Sequence, residues 1–139
     1  MKRILIAATA VLALAACSRG GDINHGGSVK IGNSTISKQL PPNLPDYVKI
    51  YPGATVTAVM DNGAAGGVIA FDVNDSPDAV VSFYRKAATD AKLSQMMDTA
   101  GTGSHVISWS QEGSKRSLTT TVDIKEGKTH VGLLYGAAS

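Results

Sequence analysis

Hydrophobic and polar residues alternate in several segments of the chain, and this two-residue period predicts β-strands. In residues 67–73, Ile69, Phe71 and Val73 fall on one face, while Val68, Ala70 and Asp72 fall on the other. Residues 54–60 are rich in β-forming residues, and the alternation returns in residues 105–110, 116–124 and 129–135. The predicted inward positions of these last three segments are Ile107 and Trp109; Leu118, Thr120, Val122 and Ile124; and Val131, Leu133 and Tyr135.

One helix is predicted after the second of these strands. Ser76 suits the N-cap, Pro77 the first helical position, and Asp78 the positive end of the helix. Apolar residues then recur at helical spacing and form one stripe, which consists of Val80, Phe83, Tyr84, Ala87, Ala88 and Ala91. A helix with a single apolar stripe is expected to pack on the sheet.

The element order β-β-α-β-β-β, with short turns at 112–114 and 126–128, predicts the fold class. We expect an α+β fold with two layers, in which an antiparallel sheet of about five strands carries one helix on one face. An extra strand near residues 93–97 is an open alternative. The uncovered face is rich in Thr and Ser, so we expect it to meet water.

The N-terminal segment has a different character. Lys2 and Arg3 precede an apolar run of 13 residues, from Ile4 to Ala16, that is interrupted by Thr9. A helix needs about 20 residues to cross a bilayer, so this run is too short for a permanent span. A basic start and a short apolar region are typical of a secretory signal peptide.

The run ends in Leu-Ala-Ala-Cys at 14–17, which resembles the lipobox of bacterial lipoproteins. The resemblance implies that residues 1–16 are a signal peptide that is removed, and that Cys17 receives a diacylglycerol and often an acyl chain on its amine. Ser18 in place of Asp implies export to the outer membrane, facing the periplasm. Two alternatives remain: ordinary cleavage after Ala15, which leaves Cys17 a free thiol, or a buried cysteine.

The remaining chain divides by composition. Residues 17–44 hold no aromatic residue and five glycines, and they end in Pro41-Pro42, so they are predicted to be the lipidated Cys and a flexible tether. Within the tether, residues 29–36 can form a small hairpin around a Gly-Asn pair. All seven aromatic residues lie between Tyr47 and Tyr135, which predicts a compact domain over 45–135 and a tail at 136–139.

A second resemblance covers residues 45–135. It rests on Tyr-Pro-Gly-Ala at 51–54, Asp-Ser-Pro at 75–77 and Phe-Tyr-Arg at 83–85. This pattern resembles a small exported bacterial domain of uncharacterised function that is attached to lipoprotein signals. Its motifs are structural, so the resemblance implies no catalytic or ligand-binding residues.

Charge limits the possible partners. Loss of Lys2 and Arg3 with the signal peptide lowers the basic residues from 13 to 11, which equals the 11 acidic residues. A neutral exported chain is not expected to bind nucleic acid. Arg85-Lys86 and Lys115-Arg116 are expected to be solvated.

Candidate metal sites are weak. By alternation, His105 shares a face with Trp109 and His130 lies opposite Val131, so the two imidazoles point to opposite sides of the sheet and cannot share a metal. His25 lies in the predicted tether. An oxygen-rich turn at 72–78 has Pro77 and Phe83 where a calcium loop needs Gly and Glu. Met96-Met97 is expected at a core edge.

Catalytic and cofactor motifs are not found in the sequence. Gly-x-Ser-x-Gly is missing, Ser104-His105 adjacency does not make a triad, and Gly101-x-Gly103 lacks the remaining glycine of a phosphate-binding loop. We therefore predict no catalytic residue, no cofactor and no metal, and Cys17 is the one predicted modification site.

The sequence thus predicts a non-enzymatic, membrane-anchored envelope lipoprotein. The primary hypothesis is that it binds a protein or another cell-envelope component through the polar sheet face or an exposed edge strand. The alternative is a small-ligand-binding lipoprotein with a pocket between helix and sheet, lined by Phe83, Tyr84, Trp109 and Tyr135. A hydrolase that uses His105 or His130 is the third hypothesis.

Overall fold

Eight strands and one helix are formed by residues 28–136, the part of the chain that this computed structural model describes. In chain order they are β1 (Val29–Ile31), β2 (Ser34–Ser37), β3 (Thr55–Asp61), β4 (Gly66–Val73), α1 (Pro77–Asp90), β5 (Ser94–Gly101), β6 (Ser104–Ser110), β7 (Ser117–Lys125) and β8 (Lys128–Gly136). The predicted signal peptide, Cys17 and His25 lie outside the described residues.

The strands form one antiparallel sheet in the order β1-β2-β3-β4-β8-β7-β6-β5. Helix α1 connects β4, in the middle of the sheet, to β5 at its edge. The predicted α+β class, with one helix and an antiparallel sheet, is confirmed. We call the side of the sheet that carries α1 the covered face and the other side the open face.

The predicted number of about five strands is wrong, because the sheet has eight. The hairpin of β1 and β2 turns at Gly32, whose positive φ of 63° suits glycine, and β2 pairs with β3. These two strands lie within the segment that composition indicated as a tether. Strand β5 is exposed along its whole length, so its sequence shows no alternation between buried and exposed residues.

The helix begins as the sequence predicted. The hydroxyl of Ser76 accepts a hydrogen bond from the backbone N–H of Ala79 at 3.3 Å, and Pro77 is the first helical residue. Of the predicted stripe, Val80, Tyr84 and Ala88 are buried, and Val81, which was not predicted, is buried with them.

The covered face holds the core. The predicted inward residues of β4, β6, β7 and β8 are buried there, with one exception. Ile124 is exposed, so its predicted inward position is wrong. It pairs with Thr129 next to the turn between β7 and β8, where Thr129 is buried and Ile124 is not covered.

The segment 45–51 completes the core beside α1. Tyr47 and Val48 are buried. The hydroxyl of Tyr47 donates a hydrogen bond to the carbonyl of Gly136, and the hydroxyl of Tyr84 donates to the carbonyl of Lys49 at 2.9 Å. These bonds hold the segment against both the end of β8 and the helix.

Candidate functional site

The four aromatic residues of the predicted pocket do not surround one cavity. Tyr84, Trp109 and Tyr135 are buried in the core, because α1 packs directly on the covered face. Phe83 is half-buried and meets the ring of Tyr84 edge-on, with 5.1 Å between ring centroids. Phe83 and Tyr135 line two separate depressions of the surface.

Phe83 lines a groove between α1 and the segment 46–50, with a volume of about 760 Å³. This volume lies within the usual range for small-molecule sites, roughly 300–1,000 Å³. Ile50, Phe83, Ala87 and Ala91 give the groove an apolar floor. The last three belong to the stripe of α1 that the sequence predicted to face the sheet.

Charged side chains surround this floor: Asp46, Lys49, Lys86, Asp90, Lys92 and Arg116. Lys86 pairs with Asp90 at 2.6 Å, and Arg116 lies 3.5 Å from Asp46. The predicted solvated character of Lys86 fits its exposed side chain. Lys49 and Lys92 form no ion pair within residues 28–136, which leaves the groove with an excess of positive charge.

Tyr47 and Arg116 contact each other where they line the groove. The guanidinium carbon of Arg116 lies 5.5 Å from the centroid of the Tyr47 ring, within the range of a cation–π contact. Burial raises the pKa of the Tyr47 hydroxyl, and the positive charge of Arg116 opposes this rise. The tyrosine is therefore a neutral hydrogen-bond donor at neutral pH.

Lys92 occupies a strained position at the end of α1. The backbone N–H of Leu93 donates to the carbonyl of Ala88 at 2.9 Å, and that of Lys92 donates to Thr89 at 3.0 Å. These two bonds make a Schellman ending, in which the residue at the Lys92 position is usually glycine because φ is positive. Lys92 has a φ of 58°, so a lysine is held where glycine is favoured.

His105 and His130 lie on opposite faces, as the alternation predicted. On the covered face, Nε2 of His105 lies 2.6 Å from Oδ1 of Asp98, whose Oδ2 accepts from Arg85 at 2.6 Å. These bonds, the one with His105 first, lower the pKa of Asp98. On the open face, Nδ1 of His130 lies 2.5 Å from Oδ1 of Asp72.

The acidic turn at 72–78 serves the fold. Asp75 accepts a hydrogen bond from the hydroxyl of Tyr51 at 2.8 Å, which raises the pKa of that tyrosine, and the carbonyl of Asp75 accepts from Thr129 at 2.6 Å. Within residues 28–136, no group of three or more His, Cys, Asp or Glu side chains could hold a metal. Adjacent strand residues point to opposite faces, so Ser104 and His105 are not a nucleophile–base pair.

The sequence reasoning missed the groove residues Lys49, Ile50 and Lys92. The segment 46–50 carries no regular period, so nothing local indicates that it packs against α1. A lysine where a helix ends without glycine was the one available signal.

No helix of residues 28–136 is long and apolar enough to cross a membrane.

Comparison with known proteins gives two family matches. Residues 1–18 match the prokaryotic membrane lipoprotein lipid attachment site, which indicates a membrane-anchored lipoprotein. Residues 54–129, from β3 to the start of β8, match a family described as START domain-like. No curated protein and no solved structure shows a significant match to the chain. Because the second match covers more than half of the chain, the chain belongs to the START domain-like family.

Proposed function

We propose that the protein is a non-enzymatic, membrane-anchored binding protein whose groove between α1 and the segment 46–50 holds an anionic, partly apolar component of the cell envelope. The lipid attachment site supports the membrane anchor, and the START domain-like match is compatible with ligand binding. The chemistry of the groove supports the proposed class of ligand.

The floor and the rim of the groove suit the two parts of such a ligand. Ile50, Phe83, Ala87 and Ala91 offer an apolar surface to a hydrocarbon or ring. Lys49 and Lys92 offer ammonium groups that are not engaged by acids in the described part of the chain. A ligand with an acidic head and an apolar body would use both, and each charge-assisted hydrogen bond would add about 1.5–3 kcal/mol where water is excluded.

The observation that carries this proposal is the backbone of Lys92. A left-handed conformation costs a residue with a side chain roughly 1–2 kcal/mol. Glycine would remove this cost, yet the position at the rim holds a lysine. Strained positions cluster at functional sites, where the side chain is needed for more than the fold.

The test compares Lys92→Gly with Glu126→Gly. Glu126 also has a positive φ, 53°, but lies in the turn between β7 and β8, outside the groove. Both variants relieve the same kind of strain, so both are expected to raise the free energy of unfolding by about 1 kcal/mol. Binding of a dansyl-labelled fatty acid, followed by fluorescence, should weaken about tenfold in Lys92→Gly, which corresponds to about 1.4 kcal/mol. It should not change in Glu126→Gly.

The methyl ester of the same probe serves as the chemical control, since it keeps the apolar body and loses the charge. We expect it to bind weakly and to be insensitive to Lys92→Gly. Equal binding of acid and ester, or equal loss of binding in the two glycine variants, would contradict the proposed groove.

We further propose that Cys17 carries the lipid and that the protein faces the periplasm from the outer membrane. This follows the resemblance of residues 14–17 to a lipobox and the presence of Ser18 in place of Asp. Cys17→Ala should accumulate as an uncleaved or soluble precursor, and Ser18→Asp should move the protein to the inner membrane. Normal outer-membrane fractionation of Cys17→Ala would contradict the assignment.

A protein partner at β5 is the second candidate function. Strand β5 pairs with β6 on one side and with no described strand on the other, and it is exposed over all eight residues. The backbone groups of such an edge can pair with an added strand. A photo-crosslinker at Thr99 should give one discrete product in cells, whereas the same group at the exposed Glu112 should give none. Identical products at both positions would argue against this candidate.

A further inference from the structure

The open face carries a continuous row of exposed apolar side chains. Cross-strand pairs connect Val29, Ile36, Met60, Val68 and Leu134 across β1, β2, β3, β4 and β8. Ile31 lies on the same face of β1. We call these six residues the open-face patch. Five of the six are 37–63% exposed, and Ile36 is half-buried. In this half of the sheet the open face is therefore not the Thr- and Ser-rich surface that the sequence led us to expect.

Within the strands, charged side chains lie at one end of the open face, and the exposed Lys38 follows the end of β2. The row beside the patch, toward the middle of the strands, consists of Ala58, Ala70, Gly132, Thr121, Val106 and Thr99. The next row contains Asp72, His130 and Asp123. On the opposite side of the patch, the strand ends carry glycine and serine. The patch and its surroundings are thus free of charge within the described strands.

The size of the patch limits what can cover it. Its exposed area is on the order of 400 Å², which is common for a functional surface patch. A stable interface between two proteins takes roughly 800 Å² from each partner. The patch alone is therefore too small to hold a second copy, but a surface that is already kept close by a covalent anchor needs only a weak contact.

The number of residues before β1 is sufficient for the anchor to reach this face from its nearest edge. The ten residues between Cys17 and Ser28 span at most about 36–40 Å when fully extended. Eight strands are about 34 Å wide, so the lipid can insert anywhere beneath the open face. The chain enters the fold at β1, which is also the strand where the patch begins.

We propose that the open-face patch lies against the bilayer that holds the lipid anchor, so that the sheet rests on the membrane and α1 with its groove points away from it. This inference rests on the lipid attachment site and on the patch, and it does not depend on the proposed ligand of the groove. Uncharged apolar side chains beside a membrane anchor are suited to partition into the headgroup region. Asp72 and His130 lie at the other end of the open face, which remains solvated.

The test measures how close each face lies to lipid in the complete, lipidated protein. Cys17 is the only cysteine of the chain, so a cysteine introduced elsewhere supplies the one free thiol once Cys17 is lipidated. Leu134→Cys places a fluorescent label in the patch, and Ser82→Cys places it on the exposed side of α1. The protein is reconstituted in vesicles of phosphatidylethanolamine and phosphatidylglycerol that contain a spin-labelled quencher lipid.

We expect several-fold stronger quenching of the label at 134 than of the label at 82, and no change when the protein is diluted below one copy per vesicle. Met60→Lys, combined with the label at 134, should reduce quenching to the level at 82 while circular dichroism stays the same. Equal quenching at 134 and 82 would overturn the proposal. Protection at 134 that disappears on dilution would also overturn it and would assign the patch to a second copy. Lys92→Gly distinguishes this outcome from that of the fatty-acid titration, because it should weaken binding of the fatty acid and leave the quenching at 134 unchanged.

Discussion

The two faces of one sheet differ although the same strands build both. On the covered face, Val59, Ile69, Leu133, Thr120 and Ile107 form a row that is fully shielded from solvent. One residue along the same strands, Met60, Val68 and Leu134 are exposed on the open face. A single step along the chain therefore decides whether an apolar side chain is buried in the core or left at the surface.

The open face itself has two halves. In β6 and β7, outward residues such as Ser108 and Thr119 are polar, and their hydroxyls lie 3.0 Å apart. In β3, β4 and β8, adjacent residues are both apolar, as in Leu133 and Leu134. The polar groups of the first half can form hydrogen bonds with water. In the second half, a contact that removes the apolar surface from water is favourable.

The largest effect is expected on the covered face, at Trp109. Its side chain is buried against the core, so Trp109→Ala removes a large apolar group and leaves a cavity. We expect the free energy of unfolding to fall by about 3–5 kcal/mol in urea denaturation of the detergent-solubilised protein. A loss well under 1 kcal/mol would mean that the ring contributes little to the core.

The neighbours Leu133 and Leu134 allow the comparison with one residue type. Leu133→Ala is expected to destabilise the protein by about 2–5 kcal/mol, because its side chain is fully buried. Leu134→Ala should change stability by no more than about 0.5 kcal/mol, since its side chain is already more than half exposed. Urea denaturation of both variants measures the difference. Similar losses in both variants would show that the open face is buried in the folded protein.

The strands and the helix with a regular period could be predicted from the sequence. Ile69 and Phe71 alternate with polar or small residues, and Ser76-Pro77 begins the helix, because burial and capping act on neighbouring residues. Strand β5 has no buried side chain and therefore no period. The hairpin of β1 and β2 is too short to bury a core of its own, so its order depends on pairing with β3.

The groove was less accessible to sequence reasoning than the fold. The helical period assigns Phe83, Ala87 and Ala91 to the stripe of α1 that packs on the sheet, but these residues are apolar for a different reason. They face the segment 46–50, and this contact depends on the hydrogen bond from Tyr84 to Lys49, 35 positions away in the chain. Long-range contacts of irregular segments leave no local pattern.

Removal of the Thr120 hydroxyl, which is buried on the covered face, is expected to have a smaller effect on the free energy of unfolding. Its Oγ1 has no hydrogen-bond partner within residues 28–136. Thr120→Val keeps the shape and removes the unpaired polar group, so we expect a gain of about 1 kcal/mol in the free energy of unfolding. Thr121→Val on the open face is the control, and it should have almost no effect because Thr121 is half-exposed. A loss of stability in Thr120→Val would indicate that the hydroxyl is satisfied.

The smallest effect is expected from the Asp98 carboxyl, which lies at the border of the covered face and makes stability depend on pH. Its bonds with His105 and then Arg85 lower its pKa below the usual value near 3.8. A carboxyl with a lowered pKa in the folded state adds stability above its unfolded pKa and loses it as the pH falls through the folded value. This contribution should therefore be complete at neutral pH, begin to fall near about pH 4, and disappear only below the lowered pKa of the folded state.

Carbon-13 NMR titration of the Asp98 carboxyl measures this pKa directly and separates its two partners. His105→Leu should raise the pKa of Asp98 toward its ordinary value by more than Arg85→Met does, since the bond with His105 is the larger cause. Both partners lie on the covered side, with His105 on β6 and Arg85 on α1, so the result also reports whether the helix is docked at this edge. If neither substitution changes the pKa of Asp98, then α1 and β6 do not both contact Asp98 in solution, and α1 does not cover the sheet as far as β5.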